Sequence, residues 1–315
     1  MTLYNLKKGS ASLGDLIDGY GSLFAPALIG NTYFVDPGAA VNGDGTAHSP
    51  FTSLLTAYNQ CTAGQHDTVF MIGSDTAWDP AASLTWAKSH THLIGISSPL
   101  PGQGQRCRIE GSTTNDLVTL LTVSASGCIF SNLKWVNLGD KDQDSGAVVV
   151  TGGRNAFINC QIAGMGHATP AARAGSYSLT LSGSENHFER CSIGLDTIVR
   201  AEANAELLVT GGARNSFWDC WFESYSETAG HFAVSITGMD RYIEFKDCMF
   251  YNFSVNWGNA ITNAFSITVA PTHYVILRGA CQFVGYTGTA DTVGHVYQAA
   301  PTPSVTAGLS TQPTT

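Results

Sequence analysis

Short apolar runs recur along the middle of the chain at nearly constant intervals. Three close copies of one motif, which reads Asn-x-Phe-x-x-Cys-x and then Ile or Phe, occupy residues 155–162, 186–193 and 215–222. Looser copies contain Cys248 and Cys281, and an earlier copy has Leu133 at the cysteine position. From 133 through 160, 191, 220, 248 and 281 the steps are 27, 31, 29, 28 and 33 residues. A fixed period of this length predicts a solenoid.

A second apolar run keeps the same period. It comes before each cysteine motif, at residues 148–152, 178–183, 207–211, 234–238 and 266–270. Both kinds of run alternate apolar and polar positions and are rich in β-branched and aromatic residues, which is typical of strands. We therefore predict an all-β fold, a right-handed parallel β-helix (solenoid) with a short N-terminal cap helix.

Stacked coils of such a helix place equivalent side chains over one another, so the repeat predicts three structural ladders. The cysteine ladder comprises Cys160, Cys191, Cys220, Cys248 and Cys281; the phenylalanine ladder comprises Phe157, Phe188, Phe217 and Phe245; the asparagine ladder comprises Asn155, Asn186 and Asn215. We expect the asparagines to stack at a turn, because asparagine tolerates the left-handed conformation. The chain has no Cys-x-x-Cys pair and no histidines at ligand spacing, so we interpret the cysteines as small buried side chains rather than metal or redox groups.

The sequence before and after the repeats does not follow their pattern. Residues 1–30 have no clear period and are predicted to form an N-terminal arm. Residues 31–298 are assigned to the β-helix with its cap, and the cap helix is expected near residues 50–59, with Ser49 as N-cap and Pro50 at its first position. Residues 299–315 contain no charged residue and are predicted to be a flexible tail.

Composition narrows the classes of function. Charged residues make up 12% of the 315 residues, roughly half the usual share. The net charge of −9 argues against nucleic acid as a partner. No apolar run reaches 18 residues, so no membrane span is expected. The first residues lack the apolar segment of a signal peptide, and we expect synthesis in a reducing cytoplasm.

Residues 31–37, 42–46, 49–52 and 67–73 carry a resemblance to a known family. They read Asn-Thr-Tyr-Phe-Val-Asp-Pro, Asn-Gly-Asp-Gly-Thr, Ser-Pro-Phe-Thr and Asp-Thr-Val-Phe-Met-Ile-Gly. These segments resemble the entrance of pectate-lyase-like right-handed β-helix proteins, and the repeated cysteine motif is similar to their coils, so the resemblance covers about residues 31–298. That superfamily includes polysaccharide lyases, glycosidases, phage tailspikes and non-enzymatic virion proteins, so the resemblance implies the fold and leaves the activity open.

An enzyme on this scaffold needs acidic residues across a groove. The best carboxylate pair in the sequence is Asp219 and Asp247, each directly before a ladder cysteine. The alternative is a surface ladder in which Arg190 offsets Asp219, and we prefer it. We assign no catalytic residue from the sequence.

Two further groups of residues have the spacing of metal ligands. Asp140, Asp142 and Asp144 resemble the start of a calcium loop, but Lys141 stands inside it, and we prefer to interpret it as a solvated turn between coils. His90 and His92 are predicted to alternate along one exposed strand face. We expect neither a metal nor another cofactor.

Aromatic side chains follow the ladder positions near the variable loops. They are Trp221, Tyr225, Tyr251, Trp257 and Tyr286. Such residues are enriched both in sugar-stacking strips and in subunit interfaces, so the sequence leaves both open.

Two functional hypotheses remain. The first is a non-enzymatic virion structural protein, a bacteriophage capsid decoration (cement) protein made in the host cytoplasm, with the major capsid protein as partner. The resemblance implies a homotrimer, for which we expect contacts through residues 163–176, 223–231 and 251–264. The alternative is a carbohydrate-active β-helix, either a polysaccharide lyase or a tailspike-type depolymerase.

Overall fold

The computed structural model describes residues 30–97, 107–254, 261–269, 273–290 and 296–298. The predicted tail and all of the predicted arm except residue 30 lie outside this part of the chain. Three strands in each coil turn around a common core, so the solenoid has three faces.

Faces A and B belong to one large sheet, and face C is a separate seven-stranded sheet. Face A contains β1 (Thr32–Val35), β2 (Thr68–Ile72), β4 (His92–Ile96), β7 (Ile129–Ser131), β10 (Ala156–Ile158), β13 (His187–Glu189), β20 (Tyr274–Arg278) and β23 (Val296–Gln298). Face B contains β3 (Leu84–Trp86), β6 (Leu121–Val123), β9 (Val148–Val150), β12 (Tyr177–Leu181), β19 (Ile261–Ile267) and β22 (Tyr286–Ala290). The long strands β15 (Ala205–Trp218) and β17 (Phe232–Lys246) run through both faces. Face C contains β5 (Arg108–Gly111), β8 (Lys134–Asn137), β11 (Gln161–Ala163), β14 (Ser192–Arg200), β16 (Trp221–Ser226), β18 (Met249–Phe253) and β21 (Gln282–Val284).

The strands of successive coils pair in parallel and in register with the sequence repeat. Phe157 pairs with Phe188 on face A, and Ile162 pairs with Ile193 on face C. The seven strands of face C give a solenoid of about seven turns. The predicted right-handed parallel β-helix is confirmed.

Stacked aromatic rings fill the core. Phe130, Phe157, Phe188, Phe217 and Phe245 are fully buried, and neighbouring ring centroids lie 4.5 to 5.2 Å apart. Full burial of one such side chain stabilises the fold by roughly 1.5–3 kcal/mol. The in-register repeat of one residue type therefore holds neighbouring coils together.

The corner between faces B and A contains the asparagine ladder. Asn155, Asn186 and Asn215 are buried, and the Nδ2 of Asn186 donates to Gly152 O at 3.0 Å and Asn215 Oδ1 at 3.3 Å. The expectation that the asparagines themselves take the left-handed conformation is wrong. That conformation belongs to the residue before each of them, as at Glu185 with φ 62°, so that the asparagine points inward.

The cap helix α1 (Leu54–Gln60) begins later than predicted. Its N-cap is Ser53, whose Oγ accepts from Thr56 N–H at 3.5 Å. The assignment of Ser49 as N-cap and Pro50 as first helical residue is wrong, because their carbonyl oxygens accept backbone hydrogen bonds from the preceding loop. The second helix, α2 (Ala168–Ala171), lies in the loop after β11. Within the described ranges, no helix is long and apolar enough to cross a membrane.

Candidate functional site

The outer side of face C presents an apolar surface over the last coils. Strand β16 alternates, so that Phe222 faces the core while Trp221 on its outer side is 52% exposed. Val199, Phe253 and Val284 on neighbouring strands are 45%, 38% and 38% exposed. We call this surface the aromatic patch; its residues are Val199, Trp221, Tyr225, Tyr251, Phe253 and Val284.

Strand register brings the aromatic patch together. Val199 pairs with Tyr225, which pairs with Phe253, and the rings of Tyr225 and Phe253 lie 5.0 Å apart. Tyr251 pairs with Val284 on the next strand. The patch is therefore built on four adjacent β-strands, β14, β16, β18 and β21, which hold its side chains in fixed relative positions.

A carboxylic acid lies within this surface. Glu223 stands between Trp221 and Tyr225 on β16 and pairs in register with Tyr251. Burial, reinforced by the nearby charges of Asp196 and Glu206, raises the pKa of Glu223 to about 7. Both protonation states of this carboxyl are therefore present near neutral pH, and it can donate or accept a proton there.

Asp196, whose charge acts on Glu223, lies in a bulge of β14. The pairing of β14 with β16 shifts between Leu195 and Val199. Arg200 closes the bulge from below, since its guanidinium donates to the carbonyl oxygens of Leu195 at 3.3 Å and Ile198 at 2.9 Å. These two hydrogen bonds from the buried side chain of Arg200 therefore hold the bulge in place.

Arg200 is itself held in place by a buried ion pair. Arg200 Nε donates to Glu206 Oε1 at 2.7 Å, and both side chains are fully buried. The hydroxyl of Ser178 donates to Glu206 Oε2 at 2.5 Å. Burial raises the pKa of Glu206, although Arg200 and Ser178 oppose the shift. Gly194, with φ +103°, is required beneath the carboxylate, because a Cβ there would lie 2.7 Å from Glu206 Cδ.

His231 adjoins the ion pair as a neutral residue. Its Nδ1 lies 2.7 Å from Asn204 Oδ1, and its Nε2 lies 4.0 Å from Glu206 Oε1. Burial and, next, the charge of Arg200 lower the pKa of His231 well below its ordinary value. The Nδ1–H therefore donates to Asn204, which is an acceptor at that atom.

The carboxylate pair chosen from the sequence lies elsewhere. Asp219 and Asp247 occupy the corner between faces A and C, in the left-handed conformation with φ 51° and 52°. Asp247 Oδ1 accepts from Ala280 N–H at 2.8 Å. Arg190 forms its ion pair with Glu189 at 3.4 Å, so the expectation that it offsets Asp219 is not supported by a contact.

The structure places the predicted cysteine ladder in the core. Cys160, Cys191, Cys220 and Cys248 are buried, whereas Cys281 near the end of the solenoid is half-buried. All eight cysteines are free thiols. Burial raises the pKa of Cys281 to about 11. A neutral thiol is a poor nucleophile and a poor metal ligand.

The acidic loop resembling a calcium site is tied to an arginine. Arg173 contacts Asp142 at 3.3 Å and Asp144 at 3.9 Å, and Gly175 N–H donates to Asp144 Oδ1 at 3.3 Å. Over the ranges that the structure describes, no three or more histidine, cysteine or acidic side chains are arranged to hold a metal ion.

The histidine prediction is wrong in its geometry. Strand β4 begins at His92, and His90 precedes it in the left-handed conformation with φ 55°, so the two do not alternate along a strand. His92 is buried rather than exposed. Its ring instead approaches His66, which comes from the preceding coil.

The sequence identified only part of the aromatic patch. Trp221, Tyr225 and Tyr251 belong to it, whereas Tyr286 packs inward against Ser224 and Trp257 lies outside the described residues. Glu223 was missed, although its alternation with Trp221 and Tyr225 in β16 already places it on their side of the strand. No such sequence pattern identifies Asp196 and Arg200, because they lie in a bulge where the alternation of the strand is interrupted.

Comparison with solved structures finds a pectate lyase and pectin methylesterases. A pectate lyase, Pel9A, superposes with a TM-score of 0.54 at 11% identity, over 87% of this chain and 82% of that chain. A pectin methylesterase variant in complex with a hexasaccharide gives 0.49 at 15% identity, over 84% and 80%. Pectin methylesterase PemA from Erwinia chrysanthemi gives 0.47 at 14% identity, over 84% and 80%. The likeness to the pectate lyase shows a shared fold. No protein-family model and no curated protein matches the sequence.

Proposed function

We propose that the chain is a non-enzymatic structural protein that assembles with itself and decorates a virion shell. The observation that carries the proposal is the aromatic patch, whose Trp221 is half exposed on a rigid sheet. Contiguous apolar surface of this kind marks interaction sites, because its exposure to water is unfavourable. The patch therefore supports a protein–protein interface.

Self-association is the simplest use of such a surface. In an oligomer with closed symmetry, the apolar surface of every copy is covered by a neighbouring copy. We propose that this oligomer is a homotrimer. Tryptophan and tyrosine anchors dominate the energetics of interfaces, and Trp221 and Tyr225 supply both types. The low charge of the whole chain agrees with a protein that has much of its surface covered.

Attachment to a shell requires a second contact. We assign it to the arm of residues 1–30 and the tail of residues 299–315, for which the repeat supplies no core. On this proposal the major capsid protein is the partner, and the shell is strengthened by many small contacts without a catalytic step.

Particle analysis tests the virion role. Purified phage particles from the source are examined by mass spectrometry for this chain and for its copy number relative to the major capsid protein. The full chain and a variant without residues 1–30 are then added to undecorated shells. We expect the chain to be present in many copies and only the full chain to bind. Absence of the chain from particles contradicts the proposal.

One observation favours a second candidate, a carbohydrate-active protein. Glu223, with its pKa raised to about 7, stands beside Asp196 on an aromatic surface. Aromatic rings stack on sugars, and a carboxylic acid that titrates near neutral pH suits proton transfer to or from a glycosidic or uronic substrate. The pectate lyase that shares the fold acts, by its name, on pectate.

Turnover decides between the two candidates. The wild type, Glu223→Gln and the exposed-residue control Glu202→Gln are assayed against a panel of acidic and neutral polysaccharides. Turnover by the wild type and control, with loss in Glu223→Gln, would establish the second candidate. No turnover by any variant leaves the structural role as the function that the patch supports.

A further inference from the structure

Three histidines from the first coils meet at the N-terminal end of the solenoid. His66 lies in the turn before β2, His90 in the turn before β4, and His92 is the first residue of β4. The ring of His66 is 5.3 Å from that of His90 and 5.4 Å from that of His92. His92 is buried and His66 is half-buried, so the cluster extends from the core towards the surface.

A chain of hydrogen bonds fixes the tautomer of His92. The backbone N–H of Ile129 donates to His92 Nδ1 at 3.1 Å, so this nitrogen is an acceptor without a proton. The proton of neutral His92 is therefore on Nε2, which lies 3.2 Å from His66 Nδ1. The two rings are inclined by only 23°, as expected when one imidazole donates to the other nearly in its plane. His66 in turn carries its proton on Nε2.

The turn that contains His66 holds the start of the β-helix. Asp67 accepts from Asn31 N–H and from Thr62 N–H, both at 2.7 Å. Gly30 packs on this turn so closely that a Cβ would lie 2.4 Å from Gln65 O. The turn is therefore the contact point at which residues 30 and 31 join the first coil.

We propose that the His66–His92 pair is an acid-sensitive latch on the junction between the N-terminal segment and the β-helix. One proton occupies the gap between the rings, and the N–H of Ile129 occupies the other side of His92. A cationic His66 has N–H groups at both nitrogens, so two donors then face each other across the gap. If the proton on His92 moves to Nδ1 instead, the bond from Ile129 is lost. Protonation of the pair therefore breaks one of the two hydrogen bonds.

The surroundings of His92 disfavour its own protonation. Burial, followed by the neighbouring His66 and His90, lowers the pKa of His92 to about 4. The ammonium of Lys88 is bound to three carbonyl oxygens at the C-terminal end of α1, and both oxygens of Asp67 accept backbone bonds. Burial also raises the pKa of the other titratable groups nearby, so they stay neutral; these are Cys61, Cys128, Tyr33 and Tyr58.

Hydrogen exchange of the intact protein tests the latch. Peptides covering residues 28–35 and 60–72 are followed by mass spectrometry at pH 7.5 and 5.0, with times scaled for the intrinsic exchange rate. The key variant is His66→Asn, which places a non-titrating acceptor oxygen at the position of Nδ1 and tolerates the left-handed φ of 57°. His90→Gln is the matched control, because it removes a neighbouring imidazole that is outside the pair.

For the wild type and His90→Gln we expect the protection of both peptides to fall on the order of tenfold at pH 5.0, because imidazole groups titrate across this range. The protection of residues 186–193 should not change. His66→Asn should keep the pH 7.5 protection at both pH values. Equal loss in His66→Asn and the wild type, or no loss in the wild type, overturns the proposal. Loss in the wild type that disappears in His90→Gln also overturns it, because the sensor is then His90.

Discussion

The thiol of Cys220 lies 3.4 Å from the carbonyl oxygen of Phe188 in the preceding coil. The same contact recurs at every ladder cysteine, with distances of 3.3 to 3.5 Å to the phenylalanine one coil earlier. Each thiol also approaches a carbonyl oxygen close to it in sequence, such as Trp218 for Cys220 at 3.2 Å. Cysteine therefore combines a small apolar volume with a weak donor directed at corner carbonyl groups.

Replacement of Cys220 tests this dual role. Cys220→Ser should lower the free energy of unfolding by about 1–3 kcal/mol, because a buried hydroxyl is desolvated and its shorter bond draws it back from the acceptors. Cys220→Ala should cost less. Urea denaturation measures both, and Cys281→Ser at the half-buried end of the ladder should be milder. A stabilising Cys220→Ser would contradict the account.

The asparagine ladder should contribute more than the charged ladder beside it. Asn186→Ala removes a side-chain amide whose Nδ2 donates to Gly152 O and whose Oδ1 accepts from Asn155 N–H, both in the buried corner. We expect a loss of about 3 kcal/mol in the free energy of unfolding, since buried groups left without partners cost roughly 1–3 kcal/mol each. Glu185→Gln, which breaks exposed ion pairs with Arg154 and Arg214, should cost much less, because water screens exposed ion pairs. Equal costs would contradict the difference in burial.

Glu223 should make stability fall as pH rises. Its pKa is about 7 in the fold, against an ordinary value of 4.5, so between these values the folded state holds a proton that the unfolded state has lost. Stability therefore decreases from about pH 4.5 to pH 7, by roughly 3 kcal/mol in total. Glu223→Gln should be more stable than the wild type at pH 8 by up to this amount and equal to it at pH 4.5. Urea titrations at both pH values, with Glu202→Gln as control, measure the difference. A pH-independent difference would contradict the raised pKa.

The buried ion pair should be costly to break and cheaper to remove. Arg200→Met leaves the carboxylate of Glu206 buried without its cation, and we expect a loss of about 3–5 kcal/mol. Adding Glu206→Leu should restore part of that stability, because the uncompensated charge is gone. Urea denaturation of both variants checks the order. A double variant less stable than Arg200→Met alone would contradict this account, because Glu206 would then stabilise the fold even without Arg200.

The repeat made the fold predictable, because in-register stacking turns sequence period directly into contacts. Phe157, Phe188 and Phe217 stand at equal positions in the motif and therefore stack. The start of α1 was misplaced because Ser49 has the local signature of an N-cap, whereas its carbonyl group is used in backbone pairing. Tertiary pairing thus overrode a local signal.

The candidate site was less predictable, because it depends on departures from the repeat. Asp196 and Arg200 stand in a bulge that no periodic pattern announces. His66 and His92 come from different coils at positions outside the motif, so their contact required coordinates. Glu223 was within reach of sequence reasoning through the alternation of β16. A patch is also harder to infer than a ladder, since its residues differ from coil to coil.

The oligomeric mass in solution tests the central claim most directly. Light scattering coupled to size-exclusion chromatography is applied to the wild type, to Trp221→Glu combined with Val284→Glu, and to Val41→Glu. Val41 is 76% exposed and is not part of the aromatic patch, so it controls for added surface charge. We predict three times the 33.3 kDa chain mass for the wild type and for Val41→Glu, and the single-chain mass for the patch variant. A monomeric wild type, or a patch variant that remains trimeric, would contradict assembly through the aromatic patch.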